Sequence, residues 1–334
     1  MRLTTEVLID FAQNYVKERK ADQPTVFSAY LRGSVLYGPP FLGGQGDLDI
    51  VFIHTIPPEV PREIKRLTPE IHFDIEHHDQ TLYQEPRQVR VHPWLGPTLH
   101  DAQILYDTRH FLDFVQAGVR GQFHEPAFVL ERAETTLQKA RQFWLELQLQ
   151  PPSAGPEVLE DYLAALEQAV NALVLLAGPP LPVRRLGLEL PNRTQELGVP
   201  QLYGHFLSLL GGNQVDLEPL KQALNSWEAC LEALPAETCP MDLHPHRIPY
   251  YRDAMLSMLD GDHPKSMLWP LLTTWTRAIS HLPKDHPLEK EWEAICQELE
   301  IAGEYFPPQL EAFDDFLENI EAVLGQWKED HGEM

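Results

Sequence analysis

The sequence predicts an α+β fold, with a small mixed-sheet domain over residues 1–100 and a larger all-α domain over 101–334. Three observations predict it. Between Thr25 and Asp79, three segments have strand length and are either alternating or continuously apolar. From about Ile104 onward, apolar residues recur at helical spacing instead. And 334 residues exceed what a single hydrophobic core normally organises.

The elements follow in chain order. Val7, Leu8, Phe11, Ala12, Tyr15 and Val16 fall on one face of a first helix. TVFSAYLRGS reads as a strand running into a glycine turn, DLDIVFIHT as a second strand, and the alternating EIHFDIEHHD as a third. Pro57, Pro58 and Pro61 mark the connection between the last two. Helices are then expected at Ile104–Val119, Pro126–Leu149, Pro156–Leu176, Gln201–Leu210, Leu217–Leu234, Ile248–Leu259, Lys265–His281, Pro287–Ile301 and Pro308–Trp327. The proline-rich breaks QPPSAGP, AGPPLPVRR and LPAETCPMDLHPHRIP separate several of them. No fixed-period repeat or low-complexity tract interrupts this plan.

Composition narrows the function. The net charge is −24, split as 10 Lys+Arg against 13 Asp+Glu in residues 1–100 and 16 against 37 in the rest. Nucleic acid is bound largely through basic patches that release counterions, so a polynucleotide partner is not expected. A cationic small molecule would be steered favourably, although acidic helices also serve simply to keep a protein soluble. No apolar run reaches bilayer-spanning length, and the N-terminal segment lacks the pattern of a signal peptide. Cys230, Cys239 and Cys296 are odd in number and show no metal-like spacing, which suits a reduced cytoplasmic setting.

The chemistry concentrates in LRGSVLYGPPFLGGQGDLDIVFIH. Period two places Asp47 and Asp49 on one strand face, with Leu48 and Ile50 on the other. In the third strand Ile71, Phe73 and Ile75 share the buried face, while His72, Asp74, Glu76 and His78 share the opposite one. If these strands are neighbours, Asp74 stands beside the Asp47/Asp49 pair. Close carboxylates repel, and an all-oxygen set selects a hard divalent cation such as magnesium. The alternative for the pair is a solvent-facing strand edge, but the apolar run that follows describes a buried strand, where uncompensated acids are costly. Gly33-Ser34 offers backbone N–H groups and a hydroxyl suited to phosphate.

Gly33-Ser34, twelve intervening residues and Asp47-Leu48-Asp49 in an apolar strand resemble the signature of the DNA polymerase beta-like nucleotidyltransferase superfamily. The resemblance covers roughly the first hundred residues. It implies that Gly33 and Ser34 hold a nucleoside triphosphate such as ATP, that Asp47 and Asp49 bind Mg2+, and that Asp74 is the third acid. DGDHPKSMLWPLLTTW is similar to a helical-domain stretch of aminoglycoside adenylyltransferases of the streptomycin/spectinomycin type, and there Lys265 matches a lysine that reaches the triphosphate. Val35 departs from the arginine that many superfamily members carry after the serine, leaving Arg32 or Lys265 to supply the charge.

The expectation is a two-metal nucleotidyltransferase moving AMP from ATP onto a hydroxyl of a small, cationic acceptor such as an aminoglycoside, with release of pyrophosphate. Asp74 binds the acceptor-side metal or takes the acceptor's proton, and Glu76, on the same face, competes for the base role. The competing classes are a protein-modifying nucleotidyltransferase and a non-catalytic, antitoxin-like nucleotide-binding protein. His72, His77, His78 and His92 match no structural zinc spacing. Tyr250, Tyr251, Arg252 and Asp253 stand at a helix start, where packing and capping are their commoner roles. The C-terminal QLEAFDDFLENIEAVLGQWKED is an amphipathic helix with a solvated acidic face.

Overall fold

The computed structural model describes residues 4–149, 155–213 and 215–332. The chain divides into two units, Met1–Phe128 and Val129–Met334. Residues 150–154, most of the QPPSAGP break, lie outside the described residues. No helix among the described residues is long and apolar enough to cross a membrane.

The first unit opens with α1 (Thr5–Asp22), β1 (Val26–Arg32), the single turn α2 (Ser34–Tyr37) and β2 (Gly46–His54). β3 (Arg62–Arg66) and β4 (Ile71–Asp79) follow, then α3 (Pro86–Val91), α4 (Leu95–Asp101), β5 (Gln103–Asp107) and α5 (Phe111–Arg120). The five strands form one sheet in the order β3-β4-β2-β1-β5, with β2 and β4 parallel and the other pairs antiparallel. The parallel pair exists because the chain leaves β2 through Pro57, Pro58 and Pro61 and first lays down β3 at the sheet edge. A turn at Leu67–Thr68, whose N–H groups bond the Ile71 carbonyl, then brings β4 back between β3 and β2.

Period-two alternation sorts the core into two layers. Leu48, Ile50, Phe52, Ile71, Phe73 and Ile75 pack beneath α1, against Leu8, Ala12 and Val16. Tyr30, Val51 and Ile53 face the other way, toward Val89, Leu99, Leu112 and Val115 of α3, α4 and α5. The expected alternation of EIHFDIEHHD is therefore present, but both faces are covered: His72 and Asp74 are buried as well.

Two strands escape the sequence pattern. β3 reads REIKR, with Ile64 as its one apolar residue, because it is an edge strand whose charges meet partners: Glu63 pairs with Arg19 at 2.8 Å and with Lys65 at 3.0 Å. β5 occupies the start of the helix expected at Ile104–Val119. Left-handed backbone at Arg109 and His110 ends the strand and turns the chain into α5. Because β5 pairs with β1 and α5 packs on the sheet, the first unit extends to Phe128, beyond the expected boundary at residue 100.

The second unit consists of helices: α6 (Pro126–Gln148), which begins in the first unit, α7 (Pro156–Val174), α8 (Val183–Glu196), α9 (Gln201–Leu209) and α10 (Leu217–Glu232). They continue with α11 (Ile248–Leu259), α12 (Leu268–Ser280), α13 (Glu289–Glu298) and α14 (Phe306–Asp330). α12 is the buried axis, packed against α7, α8, α10 and α13. Its threonines satisfy buried indoles: Trp227 Nε1 donates to Thr274 at 2.8 Å and Trp292 Nε1 to Thr276 at 3.0 Å. α8 was hidden behind AGPPLPVRR and carries Pro191 inside it, yet Leu186 and Leu190 are buried. Cys230, Cys239 and Cys296 are free thiols, all buried.

Candidate active site

The strand register assembles the acids. In the parallel β2–β4 pair Asp49 stands opposite Asp74, and in the antiparallel β1–β2 pair Arg32 stands opposite Asp49. Side chains in such a row share a face. Asp47, two residues earlier, joins the same face. One carboxylate oxygen from each of Asp47, Asp49 and Asp74 lies within 4.8 Å of the others. Asp47 and Asp74 are 7% and 5% exposed, while Asp49 keeps partial contact with solvent.

Gly33 closes the site from the β1 side. Its backbone, at φ 86° and ψ −167°, occupies a region that only glycine adopts freely. A Cβ there would stand 2.0 Å from Asp49 Oδ2, so bare backbone is required against the carboxylate. Ser34 begins α2 directly after it, and its hydroxyl lies 3.5 Å from the Pro40 carbonyl. The loop between them and β2 is held by mutual hydrogen bonds between Leu42 and Gln45, with Gly43 and Gly44 at positive φ. Asp47, Asp49 and Asp74 thus converge, Gly33 lies against Asp49, and Ser34 follows Gly33 with its hydroxyl toward the Pro40 carbonyl.

Electrostatics divides the carboxylates into two kinds. Burial, then the charges of Asp47 and Asp74, push Asp49 up to about 7, with Arg32 opposing. Burial would also raise Glu76, but its bond to His78 and the charges of Arg32, His78 and Arg62 prevail and hold it down to about 2. Arg32 Nη2 lies 2.5 Å from Glu76 Oε1, and His78 Nε2 lies 3.1 Å from Oε2. A group held so far below neutrality is a poor proton acceptor, which weighs against Glu76 as the base. On the far side of His78, Nδ1 shares a hydrogen bond with the Tyr83 hydroxyl at 2.5 Å, and Tyr83 meets Tyr30 at 3.1 Å.

Two features were not read from the sequence. Arg62 of β3 forks onto Asp74, with Nε 2.8 Å from Oδ1 and Nη2 2.5 Å from Oδ2. The signal was present in REIKR, whose charges flank a single apolar residue as an edge strand's do. A cavity of about 500 Å³ is lined by Arg32, Glu76, His78, Gln88, Trp94 and Thr98 among others; Asp47, Asp49 and Asp74 are not in its lining, and Arg32, which stands opposite Asp49, is. Part of its wall comes from α3 and α4, short helices that periodicity over a longer window does not resolve.

Lys265 lies in the second unit, in a short 3-10 turn before α12. Its ammonium is half-buried and donates to the Gly212 carbonyl. His77 is buried and bridges His54 Nε2 at 2.8 Å to Glu63 at 2.9 Å. Neither a protein-family model nor a curated protein matches the chain.

Proposed function

We propose that the first unit is the catalytic domain of a magnesium-dependent nucleotidyltransferase, transferring AMP from ATP to a hydroxyl of a small acceptor. One observation carries this reading: three carboxylates on paired strands converge while the bare backbone of Gly33 lies against one of them. An edge of solvated acids needs no such glycine, whereas a phosphate approaching a cation-laden site does.

Asp47, Asp49 and Asp74 are the residues that would hold the cation, and their all-oxygen donor set fits magnesium. When bound, the ion neutralises the acids and withdraws charge from the phosphate. The Gly33 N–H and Ser34 hydroxyl orient the triphosphate, so that its α-phosphorus meets an already aligned nucleophile. The acceptor oxygen forms a bond to that phosphorus, the bond to the bridging oxygen breaks, and pyrophosphate leaves. The acceptor's proton passes to an aspartate of the site or to solvent, since Glu76 is committed to Arg32 and His78.

The cavity that Arg32 and Glu76 line is the place this reading gives the acceptor. Trp94 offers a ring face, and Gln88 and Thr98 offer hydrogen-bonding groups. Glu85 in its lining, with the net charge of −24, favours an amine-bearing polyol such as an aminoglycoside.

The fork of Arg62 on Asp74 favours a second reading, a nucleotide-binding module that does not turn over. A pyrophosphate-release assay with ATP and Mg2+ across amine-bearing polyols and protein acceptors separates the two. Release that depends on an acceptor supports the transferase and identifies the acceptor class. ATP binding with no release on any acceptor favours the module.

A further inference from the structure

Arg32 belongs both to the row of Asp49 and Asp74 and to the cavity lining. It stands opposite Asp49, immediately before Gly33, yet its partner is Glu76 of β4, with Nη2 2.5 Å from Oε1. β2 lies between β1 and β4, so the side chain passes over the strand that carries Asp47 and Asp49 to reach it. Among the described residues, Arg32 makes no other hydrogen bond or ion pair. The guanidinium therefore keeps donors to spare, and its side chain, 27% exposed, lines the cavity. A chain of hydrogen bonds fixes Glu76 in turn. An ionised carboxylate only accepts, so in the neutral ring of His78 the proton is on Nε2, 3.1 Å from Glu76 Oε2. Nδ1 then accepts from the Tyr83 hydroxyl at 2.5 Å, and Tyr83 accepts from Tyr30 at 3.1 Å. Both tyrosines are fully buried, so water does not replace either link.

Resting on the nucleotidyltransferase reading above, we propose that Arg32 is a catalytic residue that holds the phosphoryl group in transfer, aimed by Glu76, His78 and Tyr83 as positioning residues. In that reading the cation lies at the acids and the acceptor enters from the cavity. The transferred phosphorus then passes between them, beside Arg32. A spare N–H donates to a non-bridging oxygen of the α-phosphoryl group while the acceptor bond forms and the bond to the bridging oxygen breaks. No proton moves through Arg32, and the guanidinium stays on Glu76 throughout. Its charge also sits next to the Gly33-Ser34 turn, where Val35 brings none.

The test is pyrophosphate release by the intact protein in Mg2+, on the acceptor that wild type turns over. The donors are ATP and the two diastereomers of its α-thio analogue, in which sulfur replaces one or the other non-bridging α-oxygen. Thermal unfolding confirms that each variant is folded. Arg32→Gln lowers kcat about a hundredfold, the scale of one lost donor to a developing oxyanion, while ATP–Mg2+ affinity by calorimetry falls far less. The rate penalty for one thio diastereomer shrinks in Arg32→Gln, because the oxygen facing Arg32 no longer has a donor, and the penalty for the other is unchanged. Tyr83→Phe lowers kcat in the wild-type background and adds no further loss to Arg32→Gln, since it acts through the same group. If Arg32→Gln does not fold, Arg32→Lys carries the comparison, as a point charge does not replace the planar guanidinium. Folded variants that keep kcat, or lose it with both thio penalties unchanged, overturn the role of Arg32 and leave the transferase standing. A Tyr83→Phe loss that adds in full overturns the positioning chain. If wild type binds ATP but releases pyrophosphate on no acceptor, the transferase reading falls and the role of Arg32 with it.

Discussion

Replacing Asp49 by Asn should stabilise the metal-free protein while abolishing transfer. Asp49 is raised from its ordinary 3.8 to about 7 by burial and by Asp47 and Asp74. The folded state thus holds a proton that the unfolded chain releases, so between pH 4 and pH 7 stability falls as pH rises. A difference of about 3 pH units at roughly 1.36 kcal/mol each gives an upper bound near 4 kcal/mol. Partial solvent contact and relaxation reduce this to about 2 kcal/mol at pH 8. Asn keeps the shape and cannot ionise, so the penalty disappears. Urea unfolding of both proteins in EDTA, at pH 4 and at pH 8, reads the effect. The advantage of Asp49→Asn over wild type should grow by about 2 kcal/mol between the two pH values. An advantage that does not change with pH, or a variant less stable at pH 8, would refute the electrostatic reasoning.

The remaining predictions concern the turn, the second unit and the histidine pair. Gly33→Val places a branched side chain in a glycine-only backbone region and onto Asp49 Oδ2, so it should cost about 1–3 kcal/mol in urea unfolding and eliminate ATP binding by calorimetry. Ser34→Ala should keep the fold and weaken ATP–Mg2+ affinity by the ~1.5–3 kcal/mol of a hydrogen bond to a charged group. Lys265→Ala removes an ammonium-to-carbonyl bond at Gly212 and should lower stability by about 1.5–3 kcal/mol in urea unfolding, and calorimetry with ATP–Mg2+ on the same variant tests the triphosphate role that the sequence resemblance implies for it. Burial depresses His54 and His77, so the unfolded chain takes up their protons first and stability falls as pH drops below about 6.5. His54→Gln should flatten that slope in thermal melts between pH 6.5 and 5, because it removes one of the two titrating rings.

The part of the site written into short-range pattern was legible. Asp47, Asp49 and Asp74 lie on strands whose period of two fixes their faces, and Gly33 is required by a backbone angle that local sequence announces. What sequence does not carry is who stands beside whom across the sheet. Arg62 belongs to a strand with one apolar residue, stabilised by ion pairs to α1 and β4 that no local window contains. The helix expected from Ile104 became β5 because QILYD supplies residues to both core layers, Leu105 and Tyr106 to one and Ile104 to the other. Period alone does not choose between strand and helix over five residues. α8 was lost for the opposite reason: Pro191 and the prolines before it signal a break, yet burial of Leu186 and Leu190 maintains the helix.

The central claim is that Gly33, Asp47, Asp49 and Asp74 make one site for a divalent cation and a triphosphate. Calorimetric titration of ATP into the intact protein, in Mg2+ and in EDTA, tests it most directly when repeated on Asp47→Asn and Asp49→Asn. The account predicts saturable binding to wild type in Mg2+, little or none in EDTA, and loss of the Mg2+-dependent part in both variants. Equal affinity in Mg2+ and EDTA, or Mg2+-dependent binding that survives both substitutions, would contradict it.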